Sequence, residues 1–144
     1  MMRTCLFTAV LATIAIIGHA QSPQVTQVDH EKVAAALAKG GALVTAKDYT
    51  VQGIHRAGPG QVEIHEKETD IFYITDGEAT FVTGGSMVGG RQTAPNQLRG
   101  PDLKGGETRH LKKGDVIVIP AGVPHWFKEV PVSINYLTIK VIKP

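Results

Sequence analysis

One stretch near the end of the chain, Gly114–Phe127, restricts the fold more than any other. A glycine and an aspartate begin it, and four consecutive β-branched residues follow at Val116–Ile119. Pro120 ends this run, Gly122 allows the chain to turn, and His125 stands directly before two aromatic residues. A short apolar run bounded by Gly and Pro is typical of a strand buried on both faces. We therefore expect a buried strand whose exit places the histidine at a fixed point.

The rest of the chain from Leu43 onward is also rich in short β-type segments. We predict strands near residues 43–46, 49–55, 61–65, 71–75, 79–83, 108–111, 116–119, 125–129 and 133–141. Turn residues separate them, for example at Pro59–Gly60, Asp76–Gly77 and Lys113–Gly114. Many short strands with such turns predict an all-β sandwich or barrel.

One short helix precedes the strands. Asp29 is suited to cap a helix over His30–Lys39, and Gly40–Gly41 is suited to end it. Val33 and Leu37 lie four residues apart and share one face. We expect this helix to lie across a sheet.

The first twenty residues have the pattern of a cleavable secretory signal. Arg3 supplies a positive start, an apolar run follows, and cleavage is expected after Ala20. An uncleaved membrane anchor is the alternative, but the run is shorter than the roughly 20 residues that span a bilayer. The predicted division is a signal peptide at 1–20, an extension with the helix at 21–42 and a barrel at 43–144, in a periplasmic or secreted protein without stable membrane insertion after cleavage.

Composition narrows the function. Cleavage would remove Cys5, the only cysteine, so a metal site would rely on histidine and carboxylate ligands. The chain has 15 Lys and Arg against 13 Asp and Glu, which gives no reason to expect nucleic acid or an anionic membrane as a partner. Phosphate-binding glycine loops and a GxSxG nucleophile motif are absent from the sequence. Metal-assisted chemistry or plain ligand binding remains.

Four side chains are candidates for such a metal site. Glu63 and His65 stand two apart on a predicted strand, so they share one face. Asp70 opens the next apolar run, and His125 arrives from the stretch described first. Two histidines with one or two carboxylates suit Fe(II), Mn, Ni, Cu or Zn. Spacing alone leaves open a surface or hydrogen-bonded core role for each histidine.

The stretch Gly114–Phe127 resembles the second motif of the cupin superfamily. That motif reads Gly, five residues, Pro, one residue, Gly, two residues, His, which Gly114, Pro120, Gly122 and His125 match. The family's usual Asn four residues later is Glu129 here.

The first cupin motif is matched less closely. It reads His, one residue, His, three or four residues, Glu, six residues, Gly. Glu63 occupies the first histidine position, His65 the second, Asp70 the glutamate position and Gly77 the closing glycine. The resemblance covers roughly residues 43–143 and implies a double-stranded β-helix, a jelly-roll variant, with one short N-terminal helix added in this chain.

The resemblance also implies a function. His65, Asp70 and His125 would bind a divalent metal, and Glu63 would be a substitute ligand or a catalytic base that moves a proton. An enzyme of this kind would be a metal-dependent oxygenase, isomerase or lyase acting on a small oxygen-rich substrate. The alternative is a metal-free cupin that binds a small molecule or has a structural role. Homodimers are common in the fold, and the strand Ser133–Val141 offers a possible edge for one.

Two further segments have open roles. The glycine-rich segment Gly84–Gly106 has no periodicity and is either a lid or binding loop or a surface insertion. His55 and Arg56 end a strand, where they either receive an anionic substrate at the rim or form an ordinary solvated strand end. His110 is expected to be exposed.

Overall fold

The computed structural model describes residues 24–144, so the predicted signal peptide over residues 1–20 lies outside the described residues. The helix is α1 (His30–Lys39). The strands are β1 (Gly41–Thr45), β2 (Tyr49–Arg56), β3 (Val62–His65), β4 (Glu68–Thr83), β5 (Ser86–Val88), β6 (Arg91–Ala94), β7 (Gln97–Gly100), β8 (Asp102–Lys104), β9 (Glu107–Lys112), β10 (Val116–Ile119), β11 (His125–Glu129) and β12 (Ile134–Ile142). No helix among these residues is long and apolar enough to cross a bilayer.

The strands form one curled antiparallel sheet around a common interior. Its order is β1-β2-β12-β4-β11-β3-β7-β6, with β9 and β10 also paired to β4, while β5 and β8 form a separate pair. Strand β4 is 16 residues long, and its first half pairs with β10 and β12 while its second half pairs with β9 and β11. This architecture confirms the predicted all-β class with one short helix.

The predicted turn at Asp76–Gly77 is wrong, because these residues lie within β4. The pairing of β4 with β12 shifts register just before them, at Thr75, and Gly77 has φ 77°. A Cβ on this residue would lie 2.0 Å from the carbonyl oxygen of Ser133, so only glycine fits. The bulge moves the buried face from Phe72 and Ile74 to Phe81, and both halves of β4 therefore face the same interior.

Two other strand predictions need correction. Strand β10 is not buried on both faces: Val116 is 63% and Val118 is 56% exposed, so the face that carries them is open, whereas Ile119 is 2% exposed. The predicted edge at Ser133–Val141 is also wrong, since β12 is paired with β2 on one side and β4 on the other. Homodimerisation through that edge is therefore excluded in this fold.

The segment Gly84–Gly106 contains regular structure that its composition did not indicate. It forms β5 to β8, and β7 pairs with β3 along its whole length. Repeated glycines hide the strand pattern, but Gln97 and Arg99 alternate with Leu98 as a strand requires. Strands β6 and β7 of this segment are therefore part of the barrel wall, and β5 and β8 form a separate pair beside it.

Helix α1 is confirmed within its predicted bounds. The Asp29 carboxylate accepts a hydrogen bond from the Lys32 backbone N–H at 2.9 Å, and Gly40 ends the helix with φ 77°. The helix lies across β1 and β2, with Ala36 buried against Gly53. A Cβ on Gly53 would lie 2.6 Å from the Ala36 carbonyl carbon, so the close approach depends on this glycine.

The helix contact gives a stability prediction. Gly53→Ala should lower the free energy of unfolding by about 1–3 kcal/mol, because the added methyl group forces α1 away from the sheet. Gly58→Ala is the matched control, since a Cβ there meets no atom within 4 Å. Urea unfolding followed by circular dichroism measures both. Equal stability of the two variants would contradict the close packing of α1.

An aromatic cluster fills one end of the interior. Phe72, Phe81, Phe127 and Tyr136 are each at most 5% exposed, and the rings of Phe81 and Phe127 are 4.6 Å apart. Phe127 therefore faces inward together with His125, as the alternation of β11 predicts. The cluster is an apolar floor beneath the polar residues described next.

Candidate metal centre

The four candidate residues meet inside the sheet. Glu63 and His65 lie on β3, Asp70 on β4 and His125 on β11. His125 is the direct cross-strand neighbour of Glu63. His65, Asp70 and His125 are at most 8% exposed. The structure therefore brings these four side chains together in the interior, as the sequence pattern predicts.

The loop before β11 is tied to the same strand. Gly122 has φ 83°, and its N–H donates a hydrogen bond to the carbonyl oxygen of His65 at 2.8 Å. The link fixes the turn after β10 against the end of β3. The path from Pro120 to His125 is thus set by a glycine conformation and one backbone hydrogen bond.

The ligand atoms converge at short distances. The Nε2 atom of His65 is 3.5 Å from Glu63 Oε2 and 3.4 Å from Asp70 Oδ2. The Nε2 atom of His125 is 4.0 Å and 3.7 Å from the same two oxygens. Four ligand atoms around a tetrahedral zinc ion stand roughly 3.3 Å apart. The observed separations are close to those of a metal site.

Hydrogen bonds fix which nitrogen each imidazole presents. His125 Nδ1–H donates to the Val123 carbonyl oxygen at 3.1 Å, and His65 Nδ1–H donates to the Gln97 side-chain oxygen. Because both acceptors lack hydrogen, the Nδ1 atoms carry the protons. In the neutral imidazoles the Nε2 lone pairs face the carboxylates, and a partner on Nδ1 is typical of metal-binding histidines. Without a metal ion, a proton on His65 Nε2 takes that position and bonds to Glu63.

The four side chains are arranged to suit a cation between them. His125 Nε2 is buried and has no hydrogen-bond partner among the described residues. Two nitrogen lone pairs facing two carboxylate oxygens repel one another unless a proton or a metal ion lies between them. The groups Glu63, His65 and His125, and also His65, Glu68 and Asp70, have ligand atoms within 4.8 Å of one another. The residues fit a divalent ion with mixed nitrogen and oxygen ligands.

Two basic residues bind the outer oxygens of the carboxylates. Lys140 Nζ donates to Asp70 Oδ1 at 2.8 Å and lies 3.0 Å from Glu68 Oε2. Arg99 lies 3.2 Å from Glu63 Oε1. Each carboxylate thus keeps its other oxygen directed at the histidines.

The charges also shift the pKa values. Burial raises the pKa of Glu63, but the hydrogen bond with His65 and the charge of Arg99 outweigh it and lower the pKa to about 2. Burial lowers the pKa of His65, yet its hydrogen bond with Glu63 leaves it raised overall. Burial dominates at His125 and lowers its pKa, which keeps that imidazole neutral at neutral pH.

The residues that contact the four candidate metal ligands were not identified from the sequence. Gln97, Arg99, Glu68 and Lys140 were missed, although strand alternation contains a signal for most of them. Gln97 and Arg99 are the cross-strand neighbours of His65 and Glu63, and they lie in the segment without recognisable periodicity. Lys140 is a charged residue two positions after the buried Thr138 on the predicted final strand.

The other candidate histidines lie elsewhere. His110 is exposed, as expected, and pairs with Glu78 at 3.1 Å. His55 is exposed and lies 2.6 Å from the Asn135 side-chain oxygen. Arg56, the next residue, lines a cavity of about 420 Å³ together with Glu63, His65 and Asp70.

Comparison with known families decides the classification. The family model described as cupin matches residues 18–133, which includes every residue of the candidate metal centre except Lys140. The chain belongs to the cupin family. Its sheet is accordingly a cupin-type double-stranded β-helix, as the motif resemblance implied. No curated protein matches this cupin at a significant level.

Solved structures share the fold at low sequence identity. BH2720 from Bacillus halodurans is 18% identical with a TM-score of 0.57, covering 88% of this cupin and 86% of its own chain. KdgF from Halomonas sp. is 16% identical with a TM-score of 0.53, covering 73% and 78%. Streptomyces PAC13, solved with uridine, is 9% identical with a TM-score of 0.52, covering 73% and 69%. These similarities concern the fold.

The lowered pKa of Glu63 predicts a pH effect on the metal-free protein. A carboxyl whose pKa falls from 4.5 to about 2 on folding stabilises the protein above pH 4.5, and this contribution is lost as the pH falls towards 2. It amounts to about 3 kcal/mol. Glu63→Gln should lose less stability than the wild type between pH 5 and pH 3, measured by urea unfolding in EDTA. Parallel curves for the two proteins would contradict the assignment.

Proposed function

We propose that this cupin is an exported protein that binds one divalent metal ion through His65, His125, Asp70 and Glu63 and binds a small organic molecule beside it. The observation that carries the proposal is the buried Nε2 of His125, which has no hydrogen-bond partner in residues 24–144 and faces carboxylate oxygens. Iron, manganese, zinc, nickel and copper all suit the ligand set. A bound ion would act as a Lewis acid that polarises a ligand oxygen.

The chain's own residues have separable roles in this proposal. Val123 and Gln97 orient the two imidazoles, and Lys140 limits the negative charge around Asp70. Glu63 was proposed above as either a ligand or a base. A pKa of about 2 makes it a weak base at neutral pH, so its ionised carboxylate is better suited to holding the ion.

The cavity supports the small-molecule part of the proposal. Its volume of about 420 Å³ lies in the range of small-ligand sites, and it reaches the candidate metal centre directly. The related fold of Streptomyces PAC13 was solved with uridine, an example of a small ligand on this architecture. Export, through the predicted signal at residues 1–20, would place the site in the periplasm or outside the cell.

Metal analysis of purified protein tests the proposal. The wild type should contain about one metal ion per chain, and a His65→Ala, His125→Ala double variant should contain less than a tenth of that amount, because both nitrogen ligands are gone. Elemental analysis by plasma mass spectrometry gives the stoichiometry and the identity of the ion. Circular dichroism reports whether the variant is folded.

His110→Ala is the matched control for this experiment, since His110 is exposed and lies outside the candidate metal centre. It should retain the wild-type metal content. Equal, substoichiometric metal in all three proteins would overturn the proposal.

A specific observation also favours the metal-free alternative. Arg99 and Lys140 already pair with Glu63 and Asp70, so the carboxylates have charged partners without a metal ion. In that case the protein would bind its ligand without catalysing a reaction.

If metal is present, turnover screens with and without oxygen separate an oxygenase from an isomerase or lyase. Light scattering of the same samples measures whether the protein forms the possible homodimer.

A further inference from the structure

We propose that the ligand of the cavity is a small organic carboxylate and that Arg56 binds its carboxylate group. The inference deepens the proposed function, because it concerns the same cavity, and it names the class of molecule bound there. It rests on strands β2 and β12, which supply none of the four candidate metal ligands.

Strand alternation aims a polar set into the cavity from this side. Alternate residues of the two strands line it: Thr50, Gln52, Ile54 and Arg56 along β2, and Tyr136, Thr138 and Lys140 in the middle of β12. The two strands are neighbours in the sheet, and β4 separates them from β3 and β11. The cavity therefore has one wall with the candidate metal ligands and another with neutral and cationic donors.

Arg56 is the cation on this wall that has no anionic partner. Lys140 pairs with Asp70 and Arg99 pairs with Glu63, whereas Arg56 forms no ion pair among the described residues 24–144. Its guanidinium carbon lies 4.8 Å from the centre of the Phe127 ring. This stacking holds the plane of the guanidinium and leaves Nε–H at its edge available, while Tyr136 accepts from another of its donors.

The donors of Arg56 are only partly satisfied. Its Nε atom is buried and has no hydrogen-bond partner in the described residues. A buried donor on a charged group without an acceptor is costly, so an acceptor supplied by a ligand would remove the cost. Carboxylates accept two parallel hydrogen bonds from a guanidinium, which makes them the natural partner.

Two hydroxyl groups in the same cavity are also unsatisfied. The Oγ1 atoms of Thr50 and Thr138 are buried and have no hydrogen-bond partner in the part of the chain that the structure describes, and Thr138 is 3% exposed. Burial raises the pKa of the nearby Tyr136 to about 12, so its phenol remains a neutral donor. Hydroxyl and phenol groups suit the hydroxyl or carbonyl oxygens of a ligand. The cavity is therefore complementary to an oxygen-rich carboxylate.

An NMR titration tests this assignment with glycolate and its neutral analogue glycolamide, which differ in charge but hardly in shape. Each is added to the metal-free and the zinc-loaded protein at constant ionic strength. Glycolate should shift the Nε–H signal of Arg56 in both samples, and glycolamide should not. This measurement needs no substitution, so it does not depend on a variant that folds.

Substitutions of Arg56 then measure how much this side chain contributes to glycolate binding. Arg56→Gln should weaken glycolate binding about tenfold, because it removes the charged donors. Arg56→Lys retains the charge, so its affinity for glycolate should lie between those of the wild type and Arg56→Gln. Arg91→Gln, at an exposed arginine outside the cavity, should bind as the wild type does.

Equal shifts with glycolate and glycolamide, or unchanged glycolate affinity in a folded Arg56→Gln protein, would overturn the inference. Failure of the metal proposal has a different signature. In that case zinc would move no imidazole signal of His65 or His125, while glycolate would still move Arg56.

Discussion

The buried carboxylate of Asp70 is the constraint on which the rest of the site depends. A charge that is 2% exposed must be paired, and Asp70 is paired on both sides: Oδ1 with Lys140, and Oδ2 facing His65 and His125. Lys140 is also the cross-strand neighbour of Asp70 in the pairing of β12 with β4. A slip by one residue would turn Lys140 outward and leave the charge buried alone. The ion pair and the strand register therefore require each other.

The four candidate metal ligands could be predicted largely from the sequence, because strand alternation is a short-range property. Glu63 and His65 share a face two residues apart, and His125 follows a turn marked by Pro120 and Gly122. The helix was also predictable, since its capping groups are local. The positions of the residues that contact these ligands depend on strand pairing between distant parts of the chain. Gln97 and Arg99 reach the site only through the register of β7 with β3, which glycine-rich flanking sequence does not reveal.

The errors have the same origin. A run of β-branched residues indicates a strand but does not say whether one face is covered, and β10 lies at an edge with two valines exposed. Asp76–Gly77 has turn chemistry, yet the chain continues as one strand. Gly77 pairs with Ile134 and lies against the backbone of Ser133, and the bulge falls two residues earlier at Thr75. That bulge keeps both Phe72 and Phe81 inside. The local sequence therefore indicates that Gly77 has an unusual backbone conformation, but it does not show that this conformation lies within a strand instead of a turn.

The central claim is that the buried lone pairs of the two histidines hold a metal ion between the carboxylates. Anomalous diffraction from crystals of the protein purified without added chelator tests this most directly, with data collected on both sides of the absorption edge of the metal present. The account predicts one anomalous peak within roughly 2.0–2.3 Å of Nε2 of both His65 and His125. A structure with no peak there, and with His65 Nε2 instead sharing a proton with Glu63 or Asp70, would contradict it.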